Sequence, residues 1–174
     1  MRSFVLGSKH DIKKFSAWAS ISDLVAWFNE SRIRNNDYAK DILLCTDSED
    51  KLNEISAMNK SPIYWNTPSN KLSNSSLYIY AGIYDGIQGS VPITHSINFY
   101  NKVLKDLMVA DALEYVSPEE TLKLLEFRKP LGDLGSISGR KICLYKKFEN
   151  IKLTIFEGNH EMLTEFALAE LLDE

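Results

Sequence analysis

The stretch Leu77-Tyr78-Ile79-Tyr80-Ala81-Gly82, running on into Ile83-Tyr84-Asp85-Gly86-Ile87-Gln88-Gly89-Ser90-Val91-Pro92, decides the fold. Its first six residues are apolar or aromatic and follow a polar, turn-forming segment, the composition of a buried strand. Gly86, Gly89 and Pro92 then break any regular continuation, so the next segment reads as a loop. From about Thr94 to Met108 the apolar residues Tyr100, Val103, Leu104 and Leu107 recur at helical spacing. Strand, glycine-rich loop and helix in that order form the unit from which parallel sheets are built. Catalytic and ligand-binding groups of such sheets sit beyond the carboxyl ends of strands, and Asp85 occupies that position.

Toward the C-terminus, Ser117-Pro118-Glu119-Glu120 reads as a helix start. Serine caps, proline suits the first turn, and Glu120 closes a capping box. That helix is expected to reach about Phe127, and Pro130 to Gly139 reads as a loop. Lys141 to Lys147 and Ile151 to Glu157 read as two strands around a turn at Phe148-Glu149-Asn150. A last helix from about Glu161 places Met162, Leu163, Phe166 and Ala167 on its apolar side. Between that second strand and the helix lie Gly158, Asn159 and His160, so His160 also follows a strand.

Toward the N-terminus, Phe15 to Ile21 reads as a buried strand centred on Trp18. Residues 22–76 read as a helical insertion. Asp23 caps its first helix, a second covers Tyr38 to Cys45, and a third covers Asp47 to Met58 before Ser61-Pro62. Met1 to about Lys14 reads as the end of a helix that exits at Gly7. Residues 1–174 thus read as a single α/β domain, a mostly parallel sheet flanked by helices.

Composition bounds the function. The 174 residues, 44% of them hydrophobic and 25% charged, suffice for one real core. A formal net charge of −4 argues against broad nucleic-acid binding, which needs a basic face. No run approaches the about 18 apolar residues of a membrane span. The apolar part of the N-terminus is too short for a secretory signal. Cys45 and Cys143 fit neither metal spacing nor a disulfide framework, and read as thiols of a reducing, cytoplasmic compartment. A metal site gathered from Asp85, His95, His160 and Glu161 lacks any ligand pair at the usual spacing, and no cofactor is expected. His95 reads as structural and His10 as solvated. Trp18, Trp27, Phe28, Tyr64 and Trp65 read as core packing, with an apolar substrate pocket as the alternative.

Tyr80-Ala81-Gly82-Ile83-Tyr84-Asp85-Gly86, continuing through Gly89-Ser90-Val91-Pro92-Ile93-Thr94-His95-Ser96 to Phe99-Tyr100-Asn101, resembles the acid loop and following helix of the prolyl-oligopeptidase-like α/β-hydrolases. Ile155-Phe156-Glu157-Gly158-Asn159-His160-Glu161-Met162 is similar to the histidine loop of that branch. Ser16-Ala17-Trp18 with Ser20-Ile21-Ser22-Asp23-Leu24 resembles the strand after the nucleophile's helix. The matches run in the same order over nearly the whole chain. Asn159 stands where the family usually has a second glycine, a substitution that a left-handed turn would tolerate. Ile87 stands where a histidine commonly follows Asp-Gly.

The resemblance implies a partial α/β-hydrolase fold and a serine-type triad acting on a peptide or a small-molecule ester. Asp85 would orient His160, and His160 would act as general base and then general acid. A Gly-x-Ser-x-Gly elbow does not occur in the sequence. By the register of the resemblance Met1 falls inside the helix after that elbow, where Ser3 and Ser8 are poor substitutes. The chain is therefore expected to be the C-terminal part of the catalytic domain and inactive alone. The alternative is a non-catalytic remnant or partner-binding module. An exposed sheet edge would favour a homo-oligomer.

Overall fold

The computed structural model describes residues 12–67 and 75–172. Most of the helix end expected from Met1, with Ser3, Ser8 and His10, lies outside them, and Lys14 already belongs to a strand.

A five-stranded sheet has the order β1-β2-β5-β4-β3, with β1 at Lys14–Trp18, β2 at Ser76–Gly82, β3 at Ser136–Ile137, β4 at Arg140–Phe148 and β5 at Ile151–Phe156. β2 runs parallel to both β1 and β5, with Phe15 opposite Leu77 and Leu77 opposite Ile151. β4 pairs antiparallel with β5, and β3 antiparallel with β4. The sheet is therefore mixed, parallel in β1, β2 and β5 alone. The reason is local. Only Glu149 and Asn150 separate β4 from β5, far too few for the crossover that parallel pairing needs, and Glu149 adopts φ 48° to close the hairpin.

Both faces of the sheet are covered. Leu77, Ile79, Ala81, Leu153 and Ile155 point to one face. There they pack on Ile97, Tyr100, Val103 and Leu104 of α4 (Thr94–Asp106) and on Leu124 of α5 (Pro118–Phe127). Alternate residues point the other way, as a strand's period of two requires. Tyr80 and Phe156 meet Trp18, Leu163 and Phe166 there, the last on α6 (Thr164–Leu172). Trp18 stacks on Tyr80 with ring centroids 4.1 Å apart, a core role for that tryptophan. β2 and β5, central and covered on both faces, are buried almost without interruption.

Within residues 22–76 the helices are α1 (Leu24–Ile33), α2 (Tyr38–Cys45) and α3 (Glu54–Lys60). They form a small cluster of their own around Trp27, Phe28 and Ile42. Asp23 caps α1 by accepting from the Val25 and Ala26 N–H groups. The capping box of α5 forms as read, Ser117 and Glu120 each accepting the other's backbone N–H.

Three boundaries differ from the sequence reading. β1 stops at Trp18 instead of Ile21, because Ala19 turns to φ 43°. α3 starts at Glu54 instead of Asp47, because Asp47 takes φ 57° and the side chain of Asn53 caps the Ser56 N–H. α6 starts at Thr164, which leaves Met162 outside the helix and 52% exposed.

Candidate functional site

Asp85 and His160 lie just beyond the carboxyl ends of β2 and β5, adjacent parallel strands. The ladder continues past both strands. Ile83 donates to the Phe156 carbonyl at 2.8 Å and Tyr84 to the Gly158 carbonyl at 3.0 Å. These bonds carry the two loops forward side by side. Gly82 makes the approach possible, since a Cβ there would lie 2.2 Å from the Asn159 carbonyl oxygen. Gly89 closes the loop over the pair, where a Cβ would meet Asp85 Oδ1 at 2.3 Å and His160 Cβ at 2.7 Å.

The two side chains meet. His160 Nδ1 lies 2.8 Å from Asp85 Oδ2. The other carboxylate oxygen, Oδ1, accepts the N–H of Gly86 at 2.9 Å and of Val91 at 3.0 Å. The Asp85 side chain is wholly buried, whereas that of His160 is 43% exposed. A carboxylate with these donors is an acceptor on both oxygens, so Nδ1 carries the hydrogen and donates it. Nε2 is left with the basic lone pair, and among the described residues no group is hydrogen-bonded to it. A buried carboxylate that fixes the tautomer of a partly exposed imidazole is an arrangement capable of proton transfer.

Each loop is braced from a distance. Glu161 accepts from the Asn159 N–H at 3.0 Å and is forked by Arg140 at 3.3 and 3.1 Å. Asn159 is not among the residues with positive φ. It holds its place through this bond, and not through the left-handed turn its identity suggested. Ile87 is 65% exposed. The acid loop is braced by Arg34, at the C-terminal cap of α1. Its Nη1 donates to the carbonyls of Gly86 at 2.8 Å and Gly89 at 3.4 Å, and its Nη2 to that of Ser90 at 2.8 Å. Trp27 Nε1 also donates to the Ser90 carbonyl, at 3.0 Å. Val91 packs into the α1–α2 cluster. Arg128 Nη1 donates to the Ile83 carbonyl at 2.8 Å. Burial lowers the pKa of that guanidinium from its usual value.

Sequence reading missed Arg34. Its partners are backbone carbonyls, which any residue supplies, so no side-chain pattern marks the contact.

His95 belongs to a separate arrangement. It is buried, with Nδ1 accepting the Ser22 N–H at 3.4 Å and Nε2 3.2 Å from Glu30 Oε2. Ser22 Oγ in turn donates to the His95 carbonyl at 2.8 Å. The residue ties α4 to α1, a structural position. Trp27 and Phe28 lie in the core, and Tyr64 is 43% exposed. Cys45 and Cys143 are both free thiols, and burial pushes the Cys143 thiol up to about 11. Among the described residues no three of His, Cys, Asp and Glu converge as metal ligands. No helix of the described residues is long and apolar enough to cross a membrane.

No protein-family model matches the chain, and neither a curated protein nor a solved structure is significantly similar to it.

Proposed function

We propose that Asp85 and His160 are the acid and base of a serine-type acyl-transfer site in a partial, prolyl-oligopeptidase-like α/β-hydrolase fold. The observation that carries this reading is the 2.8 Å bond from His160 Nδ1 to a buried carboxylate, with the imidazole side chain partly exposed. His160 Nε2 takes the proton of a serine hydroxyl as the oxygen bonds to the acyl carbon of an ester or peptide. The imidazolium then returns that proton to the departing alcohol or amine. Water repeats the sequence on the acyl-enzyme, releasing the acid and restoring the serine. Asp85 holds the Nδ1–H tautomer and stabilises the imidazolium throughout. On this reading the serine and the oxyanion donors come from outside the sequence, which contains no Gly-x-Ser-x-Gly pentapeptide.

A second reading, a non-catalytic module that binds a partner or another copy of itself through a sheet edge, has one observation in its favour. Among the described residues no hydroxyl is bonded to His160 Nε2. Fluorophosphonate labelling separates the two. The 174-residue chain should stay unlabelled, while a form extended to include the elbow should label and hydrolyse esters or aminoacyl amides. In that form His160→Ala should abolish turnover. An extended form that neither labels nor turns over would sink the hydrolase reading. Labelling of the 174-residue chain, lost on mutating one of its own serines, would place the nucleophile within it.

A further inference from the structure

We propose that Arg34 is a positioning residue for the Asp85–His160 pair, acting through the peptide unit between Ser90 and Val91. The inference deepens the acyl-transfer reading and rests on it for its functional meaning. Its structural content stands on the following geometry alone.

Asp85 Oδ1 is held by two N–H groups, from Gly86 and from Val91. The carboxylate is therefore in place only while both ends of the loop converge on one oxygen. Ile87 to Ser90 cannot be relied on to do this unaided. The segment contains Gly89, and ordering each of its residues costs backbone entropy. Its tip is exposed at Ile87. The loop needs an external fastening, and Arg34 supplies it.

The decisive feature is which atoms Arg34 takes. The Ser90 carbonyl and the Val91 N–H belong to the same planar, trans peptide unit, and so point in opposite directions. The carbonyl accepts from Arg34 Nη2 at 2.8 Å and from Trp27 Nε1 at 3.0 Å. The N–H donates to Asp85 at 3.0 Å. One peptide plane is thus strung between a cation and an anion. Bonds on both of its sides fix its rotation and polarise one another. Nη1 meanwhile holds the Gly86 and Gly89 carbonyls, so a single guanidinium spans the loop. Among the described residues no carboxylate pairs with Arg34, whose Nη donors all go to this loop. Two further contacts hold the same place, Tyr38 Oη to Ser90 Oγ at 2.7 Å and the burial of Val91 against Trp27, Phe28 and Ile42.

Lysine cannot replace this arrangement, because a point charge lacks the fork that reaches two separated carbonyls. The test uses NMR of the whole chain, with ring nitrogen shifts of His160 and hydrogen exchange of the Val91 amide. Arg34→Ala and Arg34→Lys should keep the overall spectrum of the wild type. Both should speed Val91 exchange and lower the ratio of Nδ1–H to Nε2–H tautomer at His160, each by about tenfold in Arg34→Ala. Trp27→Phe, which deletes the other donor to Ser90, should give a smaller change in the same direction. Lys40→Ala, at an exposed ion pair, should change neither. Should Arg34→Ala not fold, Arg34→Lys and Trp27→Phe carry the same readings. Wild-type exchange and tautomer ratio in the folded Arg34 variants would overturn the proposal. Neither reading needs a substrate or a nucleophile. Failure of acyl-transfer activity in an extended form would therefore leave them unmoved, and their failure would leave that activity open to measurement.

Discussion

A carboxylate that accepts two amide hydrogens on one oxygen and an imidazole hydrogen on the other can be altered in two separable ways. Asp85→Asn keeps an oxygen for the Gly86 and Val91 N–H groups but turns an amide NH₂ toward His160. Nδ1 must then accept, and the hydrogen moves to Nε2, the nitrogen proposed as the base. The variant should fold like the wild type, while turnover in an extended, active form falls by about 10⁴, the scale known for such a tautomer reversal. Asp85→Ala removes the acceptor altogether and leaves two buried donors empty, so it should cost roughly 2–4 kcal/mol in urea unfolding. Equal stability losses in the two variants would refute this account. Asp85 and His160 were legible in the sequence because each follows a run of strand-forming residues and each sits among glycines or asparagine. Asn159 was misread in its conformation, since residue identity reports what a backbone tolerates and not which bond holds it. Arg34 was illegible because its contacts span 52 to 56 residues and end on main-chain atoms.

Elements with a local cause were the ones sequence reading placed well. The start of α5 is written in four consecutive residues. Its box is completed by Lys146 of β4, whose ammonium lies 3.1 Å from Glu120. Burial pushes the Glu120 carboxyl upward. The Ser117 backbone N–H and Lys146 outweigh it and hold the group below its usual value of 4.5. A depressed carboxyl pKa contributes stability above the ordinary value and loses it as pH falls through the folded-state value. Glu120→Gln should therefore be less stable than wild type at neutral pH by roughly 0.5–1 kcal/mol. The gap should close as pH falls below 4.5, the ordinary value. Ser117→Ala should cost about 1 kcal/mol. Thermal melts across the acid range check both, and a gap that widens on acidification would contradict the assignment. The start of α3 escaped prediction because Asp47 turns the backbone at φ 57° and the side chain of Asn53 caps the helix. Such boundaries are decided by geometry and not by propensity.

Across the molecule, the last helix meets the parallel part of the sheet through the ring of Phe166 and through the polar contacts of Glu170. Glu170 of α6 accepts from Tyr80 on β2 and Lys152 on β5 through its carboxylate, while its backbone carbonyl accepts from Lys14 on β1 at 3.1 Å. Burial, followed by the Glu170 carboxylate, raises the pKa of the Tyr80 hydroxyl. Glu170→Ala would leave a largely buried ammonium and a buried hydroxyl without their acceptor. It should cost roughly 2–4 kcal/mol in urea, with little change in the slope of the transition. A loss below about 0.5 kcal/mol, the level of surface substitutions, would show that apolar packing alone docks α6. The order of strands has a consequence for how the molecule assembles. β5 finds β4 across two residues, but the contact between Asp85 and His160 closes a separation of 75 residues. Local hairpins form early, whereas distant pairings wait on loop closure. Asp85 and His160 are therefore strangers for most of the folding reaction. The bond between them closes at the end of it and all at once, so a half-folded chain holds both side chains with nothing joining them.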